Sequence, residues 1–327
     1  MDALKTSIVL CTYNGEKYLP QQLDSLLRQT QLPDQIVIRD DVSSDGTWEL
    51  LEAFAARAGS SGIAIDLQRN ASNLGYVRNF EQALSDASGD VVFLCDQDDV
   101  WHPMKIQRMA QEFAQRPELG LLHTDARLID ENGSDLDRRL FEVLRISPQE
   151  IDAEHSGSAF EVLLRRNVVT GATVALRNRL LPSVLPVPHN WIHDEWLAIS
   201  ISMLAKVDCL LFESTNYRQH QDNQIGAKAD SLRERLTGAG RSKRSFMLYV
   251  ADRLDETFAQ NKNEVRHLSP AKSWLLRERI AHARFRAALP ASIIKRWFLV
   301  LTEVRTGRYG RYSSGARSIV SDLLNIR

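Results

Sequence analysis

Residues 90–103 read DVVFLCDQDDVWHP, and this stretch decides the fold. Asp90–Asp96 (DVVFLCD) is a short apolar run closed by acids, the pattern of a buried strand. Pro103 is well placed to open the helix that follows. Toward the N-terminus the same unit recurs. Ser7–Tyr13 (SIVLCTY) reads as a strand, and Leu19, Leu23, Leu26 and Leu27 then fall on one helical face. Gln35–Asp41 (QIVIRDD) leads into a helix from Thr47 with Leu50, Leu51, Phe54 and Ala58 inward, capped by Ser44 or Asp45. Ala64–Arg69 is a third strand, and Arg78–Ala87 a helix built on Phe80, Ala83 and Leu84. Strand alternating with helix predicts an α/β fold, a mostly parallel central sheet flanked by helices. After about residue 130 the rhythm breaks. Ala159–Arg166 reads as helical, Val174–Arg177 and Val207–Phe212 as strand-like, and a helix runs from His193.

The chain has 327 residues, 41 Lys plus Arg against 42 Asp plus Glu, and 43% apolar residues. That composition excludes a disordered chain, a collagen-like repeat and a disulfide-stapled miniprotein. No stretch approaches the ~18 consecutive apolar residues that span a bilayer, and the N-terminus lacks the pattern of a secretory signal. Cys11, Cys95 and Cys209 each lie in an apolar run. Buried, reduced thiols in a cytoplasmic protein are the expectation. The near-neutral total hides a division: residues 1–227 carry −13 and residues 228–327 carry +12. Two domains are expected, a catalytic one over 1–227 and a basic, mainly helical region over 228–327.

In open α/β sheets, ligands bind beyond the carboxyl ends of the strands. Three of these ends carry polar signatures: Thr12–Tyr13–Asn14, Asp40–Asp41 and Asp96–Gln97–Asp98–Asp99. Asp96, Asp98 and Asp99 repel one another unless solvated or neutralised by a cation. Oxygen donors of this kind suit Mg²⁺ or Mn²⁺. Asp41 is either a nucleotide contact or a turn residue. Arg78, with Asn73 before it, is either a diphosphate contact or an exposed helical residue. The motif HDEW (193–196) places Asp194 at a helix start, as a cap or as a proton acceptor. YRQH (217–220) brings Arg218 and His220 after a strand, for diphosphate, metal or structure.

Taken in order, SIVLCTYNGEKYLPQQLDSLLRQT, IRDDVSSDGT, NLGYVRNF and FLCDQDDVW resemble an inverting family 2 glycosyltransferase of the GT-A fold. NVVTGATVALR, HDEWLA and YRQHQDNQIGA resemble more narrowly the bacterial branch of α-L-rhamnosyltransferases that use dTDP-rhamnose. The resemblance covers residues 6–227. It implies that Thr12, Tyr13, Asn14 and Glu16 line the nucleotide pocket, that Asp41 meets the pyrimidine with Asp40 beside it, and that Asn73 and Arg78 border the diphosphate. Asp96–Gln97–Asp98 matches the DXD motif for ribose and a divalent metal, Asp99 extends it, and His220 faces metal or diphosphate. Asp194 matches the catalytic base. The expected sugar or acceptor pocket comprises Trp101, Thr170, Gly171, Ala172, Thr173, His193, Glu195, Trp196 and Arg218. The QxxRW motif and membrane helices of processive synthases are missing.

The expected partners are a nucleotide-diphosphate sugar and a saccharide acceptor on a polyprenyl lipid, with a homo-oligomer possible in principle. IIKRWFLVL (293–301) and Arg305–Arg317 mix bases with aromatic residues, as does a helix lying on an anionic membrane. Peripheral association at the inner face of the plasma membrane is therefore expected; the other reading is a helical domain packed by its apolar side. Three other classes share part of this pattern. An oxidoreductase lacks a GxGxxG after the first strand. Nucleic acid is not an expected partner, since no reading module accompanies the basic tail. A binding-only relative, or a transferase of another dTDP- or UDP-sugar, shares the same motifs.

Overall fold

The computed structural model describes residues 4–220, 243–260 and 269–324. They fall into two compact units, residues 4–157 with 169–220 and residues 158–168 with 243–260 and 269–324. The first begins with β1 (Thr6–Thr12), α1 (Leu19–Leu27), β2 (Gln35–Asp40), α2 (Thr47–Gly59), β3 (Ala64–Arg69), α3 (Tyr76–Ser85) and β4 (Val91–Cys95). These strands lie parallel in the order β3-β2-β1-β4. β1 and β4 are buried along their whole length, which is why their sequences run apolar without alternation. The fold class is the one expected, an α/β sheet flanked by helices.

The sheet continues through β5 (Val100–Trp101), α4 (Lys105–Gln115), β6 (Leu119–Ile129), β7 (Asp135–Arg139), α5 (Leu140–Val143) and α6 (Pro148–His155). After α7 (Ala159–Arg165) come β8 (Ala175–Arg177), α8 (Leu181–Val184), α9 (His193–Leu204) and β9 (Lys206–Arg218). β8 pairs antiparallel with β4 and β6, β9 runs parallel to β6, and β5 pairs antiparallel with β9. Pro103 does not occupy the first turn of α4. It lies one residue before the N-cap Met104, and its carbonyl accepts a bond from Thr30 N at 2.9 Å. β9 extends six residues beyond the expected Phe212. Neither Ser44 nor Asp45 is the N-cap of α2: that place is held by Gly46, with no side-chain cap bond, and Asp45 instead accepts Thr47 N at 3.1 Å from the position before Gly46.

Residues 158–168 group with the C-terminal helices. α7 buries Ala159, Phe160, Val162, Leu163 and Leu164, and the Leu164 carbonyl accepts Arg279 Nε at 2.8 Å. The remaining helices of this unit are α10 (Lys243–Gln260), α11 (Pro270–Ala287), α12 (Ile293–Val304), α13 (Arg308–Tyr312) and α14 (Ala316–Leu324). Among the described residues no helix is long and apolar enough to cross a membrane. All three cysteines are buried, and none forms a disulfide.

Candidate active site

Parallel register sets Thr12 beside Asp40, so the carboxyl ends of β1 and β2 share one edge. Asp40, fully buried, accepts Thr12 Oγ1 at 2.9 Å, Ser43 Oγ at 2.5 Å and Ser43 N at 2.9 Å, with Arg69 Nε at 3.3 Å. Its carboxylate therefore builds the turn after β2. Asp41 organises the next loop: Oδ1 accepts Asn70 Nδ2 and Leu74 N at 2.8 Å each, and Oδ2 accepts Gly75 N at 2.9 Å. Asn73 Nδ2 donates to the Asp41 carbonyl at 3.0 Å. Gly75 starts α3 with φ +78 and ψ 154, a region that side chains avoid. Gly75→Ala should cost about 1–3 kcal/mol, read as a fall in melting temperature.

On the β1 side, Tyr13 is exposed, and its backbone is clasped by Gln97, which accepts Tyr13 N at 2.8 Å and donates Nε2 to Tyr13 O at 3.0 Å. A Cβ on Gly15 would stand 2.4 Å from Gln97 Oε1, so glycine lets this clasp close. Asn14, at φ +48, donates its N–H to Ser43 Oγ and accepts Ser44 N at 2.8 Å. Exposed Glu16 accepts Gly46 N at 3.0 Å. Backbone turns after β1, β2 and β4 are thus tied into one rim.

The carboxylates after β4 crowd together. Burial first, then the charges of Asp98 and Asp194, push the Asp96 carboxyl up to about 7, against a partial offset from Lys105. Asp99 is raised well above the usual carboxylate range by burial and by Asp98 and Asp96. Buried Tyr217 is raised by burial and by Asp99, Asp96, Asp98 and Asp194. Carboxylates almost a hundred positions apart thus share one electrostatic neighbourhood. β5 pairing with β9 sets Asp98 against the segment after β9, where His220 Nε2 lies 2.8 Å from Asp98 Oδ2. Asp99 Oδ1 accepts Arg218 N at 3.0 Å, while its Oδ2 is buried without a hydrogen-bond partner among the described residues.

Asp194 sits in the first turn of α9. Its Oδ2 accepts Gly171 N at 2.9 Å and its Oδ1 accepts Glu195 N at 2.7 Å, as anions do at helix N-termini. Thr170, Gly171, Ala172 and Thr173 form the short turn that carries the Gly171 donor. His193 stacks on Phe80 at 4.2 Å, and burial lowers its pKa; its Nδ1 has no hydrogen-bond partner among the described residues.

Other expected pocket residues take structural places. Trp196 is buried and donates Nε1 to Val184 O at 2.5 Å. Trp101, also buried, has Lys105 Nζ 3.9 Å from its ring centroid. Arg78 pairs with Glu81 at 2.6 Å and donates to Val187 O at 3.0 Å. Arg218 is buried and donates to Asp98 O, Asp130 O, Glu131 O and Gln21 Oε1. Lys105 is the residue that the sequence reading missed. It is fully buried and donates to Ala172 O at 2.7 Å and Thr215 Oγ1 at 2.9 Å. Burial lowers its pKa to about 8, against the pull of Cys95, Asp99 and Asp96. The signal was available: Lys105 precedes Met109 by four positions on the buried face of α4.

Residues 7–165 match the family model Glycosyl transferase family 2. An uncharacterized protein of Mycobacterium tuberculosis is 29% identical over 217 residues, covering 65% of this chain and 58% of the relative. The chain thus spans little more than half the length of that relative. An uncharacterized glycosyltransferase of Nostoc is 28% identical, covering 72% of each chain. The dTDP-rhamnosyl transferase RfbG of Shigella flexneri is 31% identical over 102 residues, covering 30% of this chain and 34% of the relative. Among solved structures, S. aureus TarS 1–349 with UDP-GlcNAc has a TM-score of 0.55 at 17% identity, covering 94% of this chain and 89% of TarS. The mannosyltransferase PcManGT of Pyrobaculum calidifontis, with GDP-Man and Mn²⁺, also has a TM-score of 0.55 at 17% identity, covering 99% and 87%. The likeness in fold spans nearly the whole chain, and the family match is confined to the part that holds the β1, β2 and β4 rim. Residues 7–165 thus match a glycosyl transferase family 2 model within a fold that is GT-A-like.

Proposed function

We propose that the chain is an inverting glycosyltransferase that moves L-rhamnose from dTDP-rhamnose to a saccharide acceptor on a polyprenyl lipid, in cell-surface polysaccharide synthesis. The observation that carries the transfer reading is the electrostatic meeting of Asp96 and Asp98 with Asp194 at the rim of the sheet. The rhamnose part is supported by the partial likeness to RfbG and by the resemblance of the HDEW and YRQH segments. The proposed site of action is the cytoplasmic face of the membrane, with the basic C-terminal region against the lipid.

The residues fit a divalent cation. Two carboxylates and an imidazole are hard and borderline donors suited to Mg²⁺ or Mn²⁺, Asp98 and His220 already touch, and the buried Asp99 Oδ2 wants a partner. Asp98 and His220 would hold it, with Asp99 nearby but not gathered with them into a three-ligand cluster among the described residues. When bound, the cation supplies positive charge to the diphosphate leaving group. Asp194 takes the proton of the acceptor hydroxyl, and its two backbone hydrogen bonds fix the carboxylate while it does so. The hydroxyl oxygen bonds to the anomeric carbon as the bond from that carbon to the diphosphate breaks. The electron pair leaves with the nucleoside diphosphate, and one displacement turns a β-linked donor into an α-linkage. Tyr13, Asn14 and Gln97 shape the nucleotide side of the rim.

A thermal-shift panel tests the donor: dTDP-rhamnose, UDP-GlcNAc and GDP-mannose, each with and without Mn²⁺. At a hundred times Kd a ligand stabilises by about 2.7 kcal/mol, so the cognate sugar should stand out by several degrees. A shift confined to dTDP-rhamnose is the expected result. One confined to UDP-GlcNAc or GDP-mannose would reassign the donor.

A further inference from the structure

Helix α12 (Ile293–Val304) is inside out. Its buried face carries Arg296, Val300 and Glu303, while Ile293, Ile294, Trp297, Phe298 and Leu301 are exposed, Ile294 to 84% and Phe298 to 72%. The spacing i, i+1, i+4, i+5, i+8 places these five on one stripe. The inward charges are satisfied within the unit. Arg296 donates Nε to Pro290 O at 2.8 Å and Nη1 to Asp322 O at 3.3 Å. Glu303 accepts from His282 Nδ1 at 2.8 Å and lies 3.4 Å from Arg308. Asp322 is held by Arg286 and by Tyr309 OH, each at 2.7 Å. The bonds of Arg296 and Glu303 fix α12 in this orientation, so the apolar stripe cannot turn inward without leaving buried polar groups unpaired.

The charge around the stripe is one-sided. Between residues 289 and 324 the acids are Glu303 and Asp322 alone, and both are buried. Lys295, Arg305, Arg311 and Arg317 are exposed. Val320 and Leu324 on the neighbouring α14 are exposed too, so the outer surface of these helices combines apolar side chains with positive charge and no exposed acid. A second copy of the same face would meet like charge. An anionic lipid surface meets both needs, burying the stripe below the headgroups and pairing the bases with phosphates.

We infer that α12 is an interfacial helix that docks this chain on an anionic phospholipid bilayer, with Ile294, Trp297, Phe298 and Leu301 inserted and Lys295 and Arg305 at the headgroups. This deepens the membrane part of the proposed function and does not depend on the transfer chemistry.

The test is co-sedimentation of the full chain with vesicles of phosphatidylcholine and phosphatidylglycerol at equal parts, and of phosphatidylcholine alone. The expected result is binding to the anionic vesicles that weakens with salt. The double variant Ile294→Ser, Phe298→Ser should lower that binding about tenfold or more with an unchanged melting temperature, since both side chains are exposed. Brominated lipid should quench part of the tryptophan emission, and Trp297→Phe should abolish most of that quenching. The inference is overturned if the chain ignores anionic vesicles, if the double variant binds as well as the parent, or if quenching survives Trp297→Phe. It is also overturned if the parent is a dimer that the double variant dissolves without vesicle binding. Donor-induced thermal shifts measured on the same variants keep the two readings apart, because loss of lipid binding should leave them intact.

Discussion

Asp194→Asn should lower sugar transfer by about 10²–10⁴-fold, the usual worth of a positioned general base, while nucleotide-sugar binding stays within a few-fold of the parent. The geometry explains why these readouts separate. Asp194 is held by Gly171 N and Glu195 N, in the first turn of α9, while the proposed nucleotide side of the rim is built from the turns after β1, β2 and β4. Asparagine keeps the size and one acceptor oxygen, so the helix start keeps one of its two backbone bonds and loses the other. It has no basicity to offer the acceptor hydroxyl. Transfer should be followed by release of nucleoside diphosphate with acceptor present, and binding by thermal shift. Full turnover in the variant would remove Asp194 from the role of base, whatever the donor proves to be. Loss of turnover together with loss of donor binding would place it in the binding site instead.

How much of this was legible in the sequence depends on where each side chain finds its partner. β1, β2 and β4 were visible because burial makes their centres apolar without alternation, β3 only as a short run of mixed residues that lies half exposed, and the helices between them because their apolar residues recur at helical spacing. β6 was not. Its sequence LGLLHTDARLI places His123 and Thr124 in the middle of the strand, and both are buried only because distant residues satisfy them. Glu154 lies 2.8 Å from His123 Nε2 and Ser214 Oγ 2.5 Å from Thr124 Oγ1. β9 was cut short for the same reason, since Glu213, Ser214 and Thr215 look like a loop until Arg127, Arg139, Thr124 and Lys105 are seen to pair with them. The acid cluster and Asp194 were visible as chemistry-bearing residue types. Lys105 was not, because a lysine in an amphipathic helix reads as solvent-facing unless its position on the helical face is checked. Asp40 shows the opposite error of scale: the motif was noticed, yet its oxygens are engaged by Thr12, Ser43 and Arg69.

Arg218→Met should destabilise the first unit by about 3–5 kcal/mol, the cost of leaving several buried acceptors unpaired, and so lower its melting temperature by on the order of 10 °C. The sequence places this arginine beside His220, where a cation for diphosphate is an attractive reading. The structure gives it other work. Its side chain is 1% exposed. Nε donates to Asp98 O at 2.8 Å, Nη1 to Asp130 O at 3.3 Å and Glu131 O at 3.2 Å, and Nη2 to Gln21 Oε1 at 2.6 Å. The guanidinium also lies 4.9 Å from the Tyr18 ring centroid. One planar group thus joins α1, the acidic turn after β4 and the turn after β6. Methionine would fill the volume but leave three carbonyls and an amide oxygen desolvated, each worth about 1–3 kcal/mol when orphaned. Lysine should not rescue the loss, since a single ammonium cannot reach acceptors spread along a planar fork. Donor affinity, measured well below the melting temperature of the variant, separates the two roles. A diphosphate contact would lose affinity by more than tenfold with little change in stability. A clamp loses stability first, and the donor shift that remains should follow the folded fraction.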